Sequence, residues 1–227
     1  MSIKDNLTKL KNDIREIAVA SMRNPDEIEL VAVTKMHSAD EIKEIIESGH
    51  FILGENRVQE ALEKIPQLPD NIRWHLIGHL QTNKVRDAVK YFELIHSVDS
   101  ERLAEEIDRQ AEKINKRMNI LIEVNTSGEE SKFGLTTKDA PDLIKSISAM
   151  QNIRICGLMT MAPFVDDDSI IRHSFRELRL LRDKIAQMHL PNVEMKYLSM
   201  GMTNDYKIAI EEGANLLRIG SAIFRQD

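Results

Sequence analysis

With 227 residues, 42% hydrophobic and 30% charged, the chain has the balance of one globular domain that can bury a core without staples, and disorder is not indicated. A formal net charge of −6 argues against broad attraction to nucleic acid, and the lone Cys156 excludes an intrachain disulfide or a thiolate metal cluster, in keeping with a reducing compartment. The opening MSIKDNLTKLKND is too charged for a signal peptide and no apolar run approaches the ~18–20 residues of a membrane span, so the sequence reads as a soluble, cytoplasmic protein with no membrane contact.

Ile3, Leu7, Leu10, Ile14 and Ile17 recur at three- and four-residue steps and predict an amphipathic opening helix ending near Asn24-Pro25. Short apolar, β-branched-rich runs then appear at residues 30–33, 51–53, 74–77, 94–98, 120–124, 153–158, 194–198 and 215–219. Helical patterns separate them. Leu103, Ile107 and Ile114 form one stripe, begun by the N-cap candidates Asp99 and Ser100. Ile171, Phe175, Leu178, Leu181 and Ile185 form another. Strands alternating with crossover helices must run parallel. An open doubly wound sheet gives the same alternation, but eight strands favour closure into a (β/α)8 TIM barrel. The expectation is an α/β fold, one domain over residues 1–227, with an extra N-terminal helix.

In such a barrel, functional groups gather at the C-terminal ends of the strands. Leu30-Val31-Ala32-Val33-Thr34-Lys35 places Lys35 at the first exit. Alone it is an ordinary lysine ending a strand at solvent, although a partly desolvated amine there can act as a Schiff-base nucleophile. Ser199-Met200-Gly201-Met202-Thr203 follows the seventh strand, and Arg218-Ile219-Gly220-Ser221 ends the eighth. These are the two loops in which barrels commonly hold phosphate, where glycine admits backbone N–H groups and hydroxyls add donors. Each tetrapeptide alone is weak. Together with a lysine on the first strand, which neighbours the eighth in a closed barrel, they point to a phosphorylated ligand with an electrophilic carbon near Lys35.

Val31-Ala32-Val33-Thr34-Lys35, Gly54-Glu55-Asn56-Arg57-Val58-Gln59-Glu60, the run from Trp74 to Lys84, Ser199-Met200-Gly201-Met202 and Arg218-Ile219-Gly220-Ser221-Ala222-Ile223-Phe224 occur in order. From about Leu30 to Phe224 the chain resembles the YggS/PROSC family of pyridoxal 5'-phosphate (PLP) homeostasis proteins. The resemblance implies a barrel of the alanine racemase N-terminal domain type and PLP held as a Schiff base on Lys35. It further implies that Ser199, Gly220 and Ser221 hold the phosphate, with Gly201 in the same loop pair. Arg218 is implied at the pyridine nitrogen and Asn56 near the ring. Ser221, where many relatives have Thr, keeps the hydroxyl donor, and Arg225-Gln226-Asp227 is a further small departure. Without the resemblance, Arg218 would read as a surface cation. A guanidinium stays protonated, so it donates to the ring nitrogen without protonating it, which leaves the ring a weak electron sink.

Other features carry less. His75 and His79 have metal-pair spacing but straddle a strand end and Gly78 with no carboxylate in the motif, so no metal site is expected. Asp166-Asp167-Asp168 reads as a loop with helix N-caps. Met159, Met161, Met200 and Met202 cluster at strand ends. Lys84 and Lys132 sit in motif-bearing loops and could attract phosphate. The functional expectation is a PLP carrier or buffer, without catalytic residues or efficient catalysis, serving PLP-dependent apo-enzymes. The alternative is an amino-acid racemase-like PLP enzyme. That reading needs a second base, which alanine racemases supply as a tyrosine from an additional C-terminal domain across a dimer. Here the sequence ends soon after the eighth strand, and Tyr91, Tyr197 and Tyr206 match no such motif, so a monomer is expected. A third option is a barrel enzyme acting on another phosphorylated metabolite.

Overall fold

The computed structural model describes residues 2–129 and 133–225; Lys132 and Gln226-Asp227 lie outside the described residues. The opening helix, α1 (Ile3–Ala20), starts at a capping box in which Ser2 and Asp5 accept from each other's backbone N–H. Its buried face is Ile3, Leu7, Leu10, Ile14 and Ala18, with Ile17 only partly buried beside them. It stops short of Asn24-Pro25 because the chain turns through Met22 at φ 56°, after which Asn24 caps a separate 3-10 turn, Pro25–Glu27.

All eight expected strands form, and a two-residue pairing joins them. They are β1 (Glu29–Val33), β2 (Ile52–Glu55), β3 (Arg73–Leu76), β4 (Leu94–Val98), β5 (Met118–Asn125), the short β6 (Leu135–Thr136), β7 (Ile153–Met159), β8 (Val193–Ser199) and β9 (Leu216–Ile219). Their pairings are parallel. The order β4-β3-β2-β1-β9-β8-β7-β5 closes through β4–β5, while β6 hangs on β5 outside the ring. The result is a closed eight-stranded barrel, not the open sheet. Around it run α2 (Ala39–Glu47), α3 (Val58–Lys64), α4 (Val85–Tyr91), α5 (Glu101–Glu112), α6 (Ala140–Ile147), α7 (Asp168–Ala186), α8 (Tyr206–Glu211) and α9 (Ser221–Phe224). Ser100 is the N-cap residue of α5 but makes no side-chain cap bond, whereas Asp167 caps α7 by accepting from Ser169. Helix α1 lies against α8 and α9, and Asn6 Nδ2 donates to the carbonyls of Ile223 (3.1 Å) and Arg225 (2.8 Å).

Successive strand residues point to opposite faces, and here they divide into two cores. Val31, Leu94, Leu121, Cys156, Met159 and Leu216 pack together inside the ring. Ala32, Leu53, Trp74, Ile95, Ile122, Leu198 and Leu217 join the larger core between ring and helices. Moving two residues on from the inner set gives Val33 and then Lys35 on β1, Glu123 on β5 and Arg218 on β9, while His75, His96 and Ser199 lie between outward-facing neighbours. The barrel interior is therefore apolar below and polar toward the C-terminal mouth.

Candidate functional site at the barrel mouth

Lys35 leaves β1 with inward parity, is exposed, and makes no hydrogen bond or ion pair among the described residues. It sits in a turn followed by Met36 at φ 65°. Strand β1 pairs with β9, Val31 opposite Arg218 and Ala32 opposite Ile219, so the loop after β9 runs beside Lys35. Gly220 permits that approach: a Cβ there would lie 2.9 Å from the carbonyl oxygen of Val33.

The loops after β8 and β9 meet at the rim. Gly201 has φ 97°, and a Cβ on it would come within 2.6 Å of the Ala209 side chain. Its carbonyl accepts from the Arg218 backbone N–H at 3.0 Å. Thr203 Oγ1 lies 3.0 Å from Ser221 Oγ and accepts from the Ala222 N–H at 3.3 Å. Ser221 is exposed and Thr203 half-buried, so two hydroxyls face one place from the two loops expected to hold phosphate. Nothing in the motif Ser199-Met200-Gly201-Met202-Thr203 distinguishes Thr203 as the hydroxyl at the rim. Buried Asp205 accepts from the Met202 N–H at 2.5 Å and shapes the turn; burial pushes its carboxyl up, against the pull of that N–H and of Arg218.

Beneath the rim, Arg218 is 4% exposed, not a surface cation. Its guanidinium donates to Ser199 Oγ (2.6 Å) and to the Thr160 carbonyl (2.9 Å). Burial lowers it to about 10, partly offset by Asp205 and Glu123, so it stays protonated at neutral pH. Ser199, expected at the phosphate, is fully buried, and its hydroxyl also lies 2.9 Å from His96 Nδ1. Because Arg218 can only donate, Ser199 accepts from it. Burial holds His96 far below its ordinary value, helped by His75 and Arg218, and pushes His75 down to about 3. Both rings are neutral. His96 Nε2 lies 3.2 Å from His75 Nδ1, and His75 Nε2 has no hydrogen-bond partner among the described residues.

Glu123, 4% exposed, is pushed up to about 7 by burial and by Asp99, with Arg218 opposing. Its signal in the sequence was a single carboxylate inside the apolar run Leu121-Ile122-Glu123-Val124; His96 left a similar one in Leu94-Ile95-His96-Ser97-Val98. At the exit of β2, the strand next to β1, half-buried Asn56 lines a cleft of about 510 Å³ with Arg57, Gly78, His79, Gln81 and Lys84. Lys84, from the loop after β3, thus shares a cleft with Asn56, two strands along from Lys35. His75 and His79 are separated: His79 stacks on Phe133 at the rim, ring centroids 4.5 Å apart, 3.9 Å from Asp99. No group of three metal-ligating side chains occurs among the described residues. Met159 and Met200 are core, while Met161 and Met202 are partly exposed at the mouth.

The geometry suits PLP. Two hydroxyls from adjacent loops meet at the rim, a protonated donor lies below them, and Lys35 leaves the neighbouring strand with no partner among the described residues. A family model described as the alanine racemase N-terminal domain matches residues 6–226. A pyridoxal phosphate homeostasis protein of Aquifex aeolicus is 38% identical over 225 residues, covering 99% of this chain and 98% of the relative. One of Vibrio alginolyticus is 36% identical over 228 residues, covering 98% and 97%. Among solved structures, PipY of Synechococcus elongatus PCC7942, with PLP bound, superimposes with a TM-score of 0.87 at 33% identity, covering 99% of this chain and all (100%) of PipY.

Proposed function

The chain belongs to the alanine racemase N-terminal domain family and, within it, to the pyridoxal phosphate homeostasis proteins, and from that premise we propose that it binds PLP covalently through Lys35 as a carrier or buffer of the cofactor. The observation that carries the reading is the meeting of three loops at one mouth. Lys35 leaves the strand that pairs with β9, Ser221 at the exit of β9 meets Thr203 from the loop after β8, and Arg218 is buried beneath.

Bound there, PLP supplies an electrophilic aldehyde and an electron-withdrawing ring. Lys35 takes the aldehyde. Thr203, Ser221 and the backbone at Gly201 and Gly220 hold the phosphate. Arg218 donates to the ring nitrogen and, being protonated with no proton to spare, leaves the ring a weak electron sink. Ser199 orients Arg218 rather than reaching the phosphate, and Asn56 borders the ring. Carriage suits this arrangement better than racemisation, because no tyrosine offers a second base at the mouth. Tyr197 bonds Glu29 at the start of β1, Tyr206 faces α1, and Tyr91 ends α4. The protein works in the cytoplasm as a monomer and passes PLP to PLP-dependent apo-enzymes. No helix among the described residues is long and apolar enough to cross a membrane.

The test is borohydride reduction of the yellow protein with peptide mapping, alongside chiral assay of amino acids. The label is expected on Lys35 and lost in Lys35→Ala, with racemisation far below the ~10 s⁻¹ of a typical enzyme. A stoichiometric label on Lys84 or Lys132, or turnover at the typical rate, would overturn the reading.

A further inference from the structure

Behind Lys35, on the outer face of the barrel, lies a polar cluster that the proposed cofactor does not touch. Thr34 and Glu55 have outward parity and face α3. Lys64, the last residue of α3 and 7% exposed, sends its ammonium to three oxygens. These are the Thr34 carbonyl (2.8 Å), Glu55 Oε1 (2.7 Å) and Glu60 Oε1 (2.7 Å). Thr34 Oγ1 also donates to Glu55 Oε1 at 2.6 Å. Glu60 in turn accepts from the Met36 backbone N–H. The peptide carbonyl before Lys35 and the peptide N–H after it are therefore both held by α3, through two side chains one helical turn apart.

Two further observations show that this grip is not incidental. Met36 adopts a left-handed backbone at φ 65°, unfavourable for a residue with a Cβ, yet its side chain is 90% exposed. Side-chain contacts do not impose that conformation: it belongs to the turn closed by the His37 N–H on the Thr34 carbonyl (3.1 Å), and Glu60 takes up the Met36 N–H that this turn leaves free. Burying Lys64 and the wholly inaccessible Glu55 also carries a desolvation cost that a surface ion pair would avoid. A reactive group needs such support from behind to keep its geometry.

We propose that Lys64 and Glu60 are positioning residues that preset the turn bearing Lys35, so that its amine meets the cofactor's aldehyde already aimed. This rests on the PLP reading above. Attachment joins the Lys35 nitrogen to the aldehyde carbon and releases the aldehyde oxygen as water, without oxidant or reductant.

The experiment follows the rise of visible absorbance when apo-protein meets PLP. Glu60→Met, which removes the acceptor for the Met36 N–H, is expected to slow attachment by about tenfold or more. Glu60→Gln keeps an acceptor and should restore most of the rate. In a Lys35→Ala background, non-covalent PLP affinity measured by equilibrium dialysis should be the same with and without Glu60→Met, because the turn then has no amine to aim. Equal attachment rates in wild type and Glu60→Met overturn the proposal, as does a comparable loss of affinity when Lys35 is absent. Wild-type protein that takes no borohydride label on Lys35 overturns the PLP reading and this inference with it.

Discussion

Inside the barrel, Arg218, Ser199, His96 and His75 form a hydrogen-bonded chain with one formal charge, whereas on the outer wall Lys64, Glu55 and Glu60 bring three ionisable groups within 2.7 Å contacts. The inner chain tolerates complete burial because imidazole can shed its proton and still pass on the direction of a hydrogen bond. The outer cluster relies on its charges, and its ammonium also grips a backbone carbonyl. Burial pushes Glu55 up against the pull of Lys64 and Thr34. At Glu60, which is more open, burial is outweighed by Lys64 and the Met36 amide, and the carboxyl falls below its ordinary value. One network is arranged to orient a donor, the other to hold a turn, and they should fail differently.

The largest difference is expected on breaking the outer cluster. Lys64→Met leaves Glu55 buried without its cation, and denaturant melts should show a loss of about 3–5 kcal/mol. A loss near zero would mean that Glu55 is already carried neutral, so that both networks shed charge in the same way.

The inner chain should reveal itself through acid. The folded value of His75, about 3, lies below its ordinary 6.5, so between these the unfolded chain binds more protons. Stability from this group is complete above 6.5 and is lost as pH falls toward 3. Glu123, raised to about 7 from 4.5, acts in the opposite sense over the upper part of that range. The comparison is therefore made against a variant: His75→Asn should lose on the order of 2–4 kcal/mol less than wild type between those pH values. Parallel losses in the two proteins would show that His75 is not held neutral.

The smallest expected effect separates the rim from the chain beneath it. Ser221→Ala should weaken PLP about tenfold more than pyridoxal, since a hydrogen bond to a charged group is worth about 1.5–3 kcal/mol. Ser199→Ala should weaken both ligands alike, because Ser199 acts on Arg218. Titrations with the two ligands decide it, and a phosphate-selective loss at Ser199 would move that hydroxyl from the chain to the cup.

The barrel was legible because buried parallel strands leave short apolar, β-branched runs, and each of the eight runs became a strand within a few residues of its expected ends. Lys35 and the two glycine loops were legible because their chemistry sits at strand exits. The direction of individual hydroxyls was not. In Ser199-Met200-Gly201-Met202-Thr203 the motif shows two, and only strand parity, which ends at Ser199, decides which turns inward. Lys64 was invisible for another reason: on an amphipathic helix it looks like any solvated lysine, and its partner Thr34 is 30 positions away. His96 and Glu123 were hidden in runs read simply as core. The pairing at β6 spans two residues, too few for any periodicity to register.

Cys156 belongs to the apolar plug inside the ring, where burial pushes its thiol up to about 11. At neutral pH almost none of it is thiolate, the form that alkylating reagents attack. As the sequence has no other cysteine, each alkylated molecule marks one that opened its barrel. The thiol is thus a built-in covalent clock for breathing of the barrel, readable by mass without adding a probe.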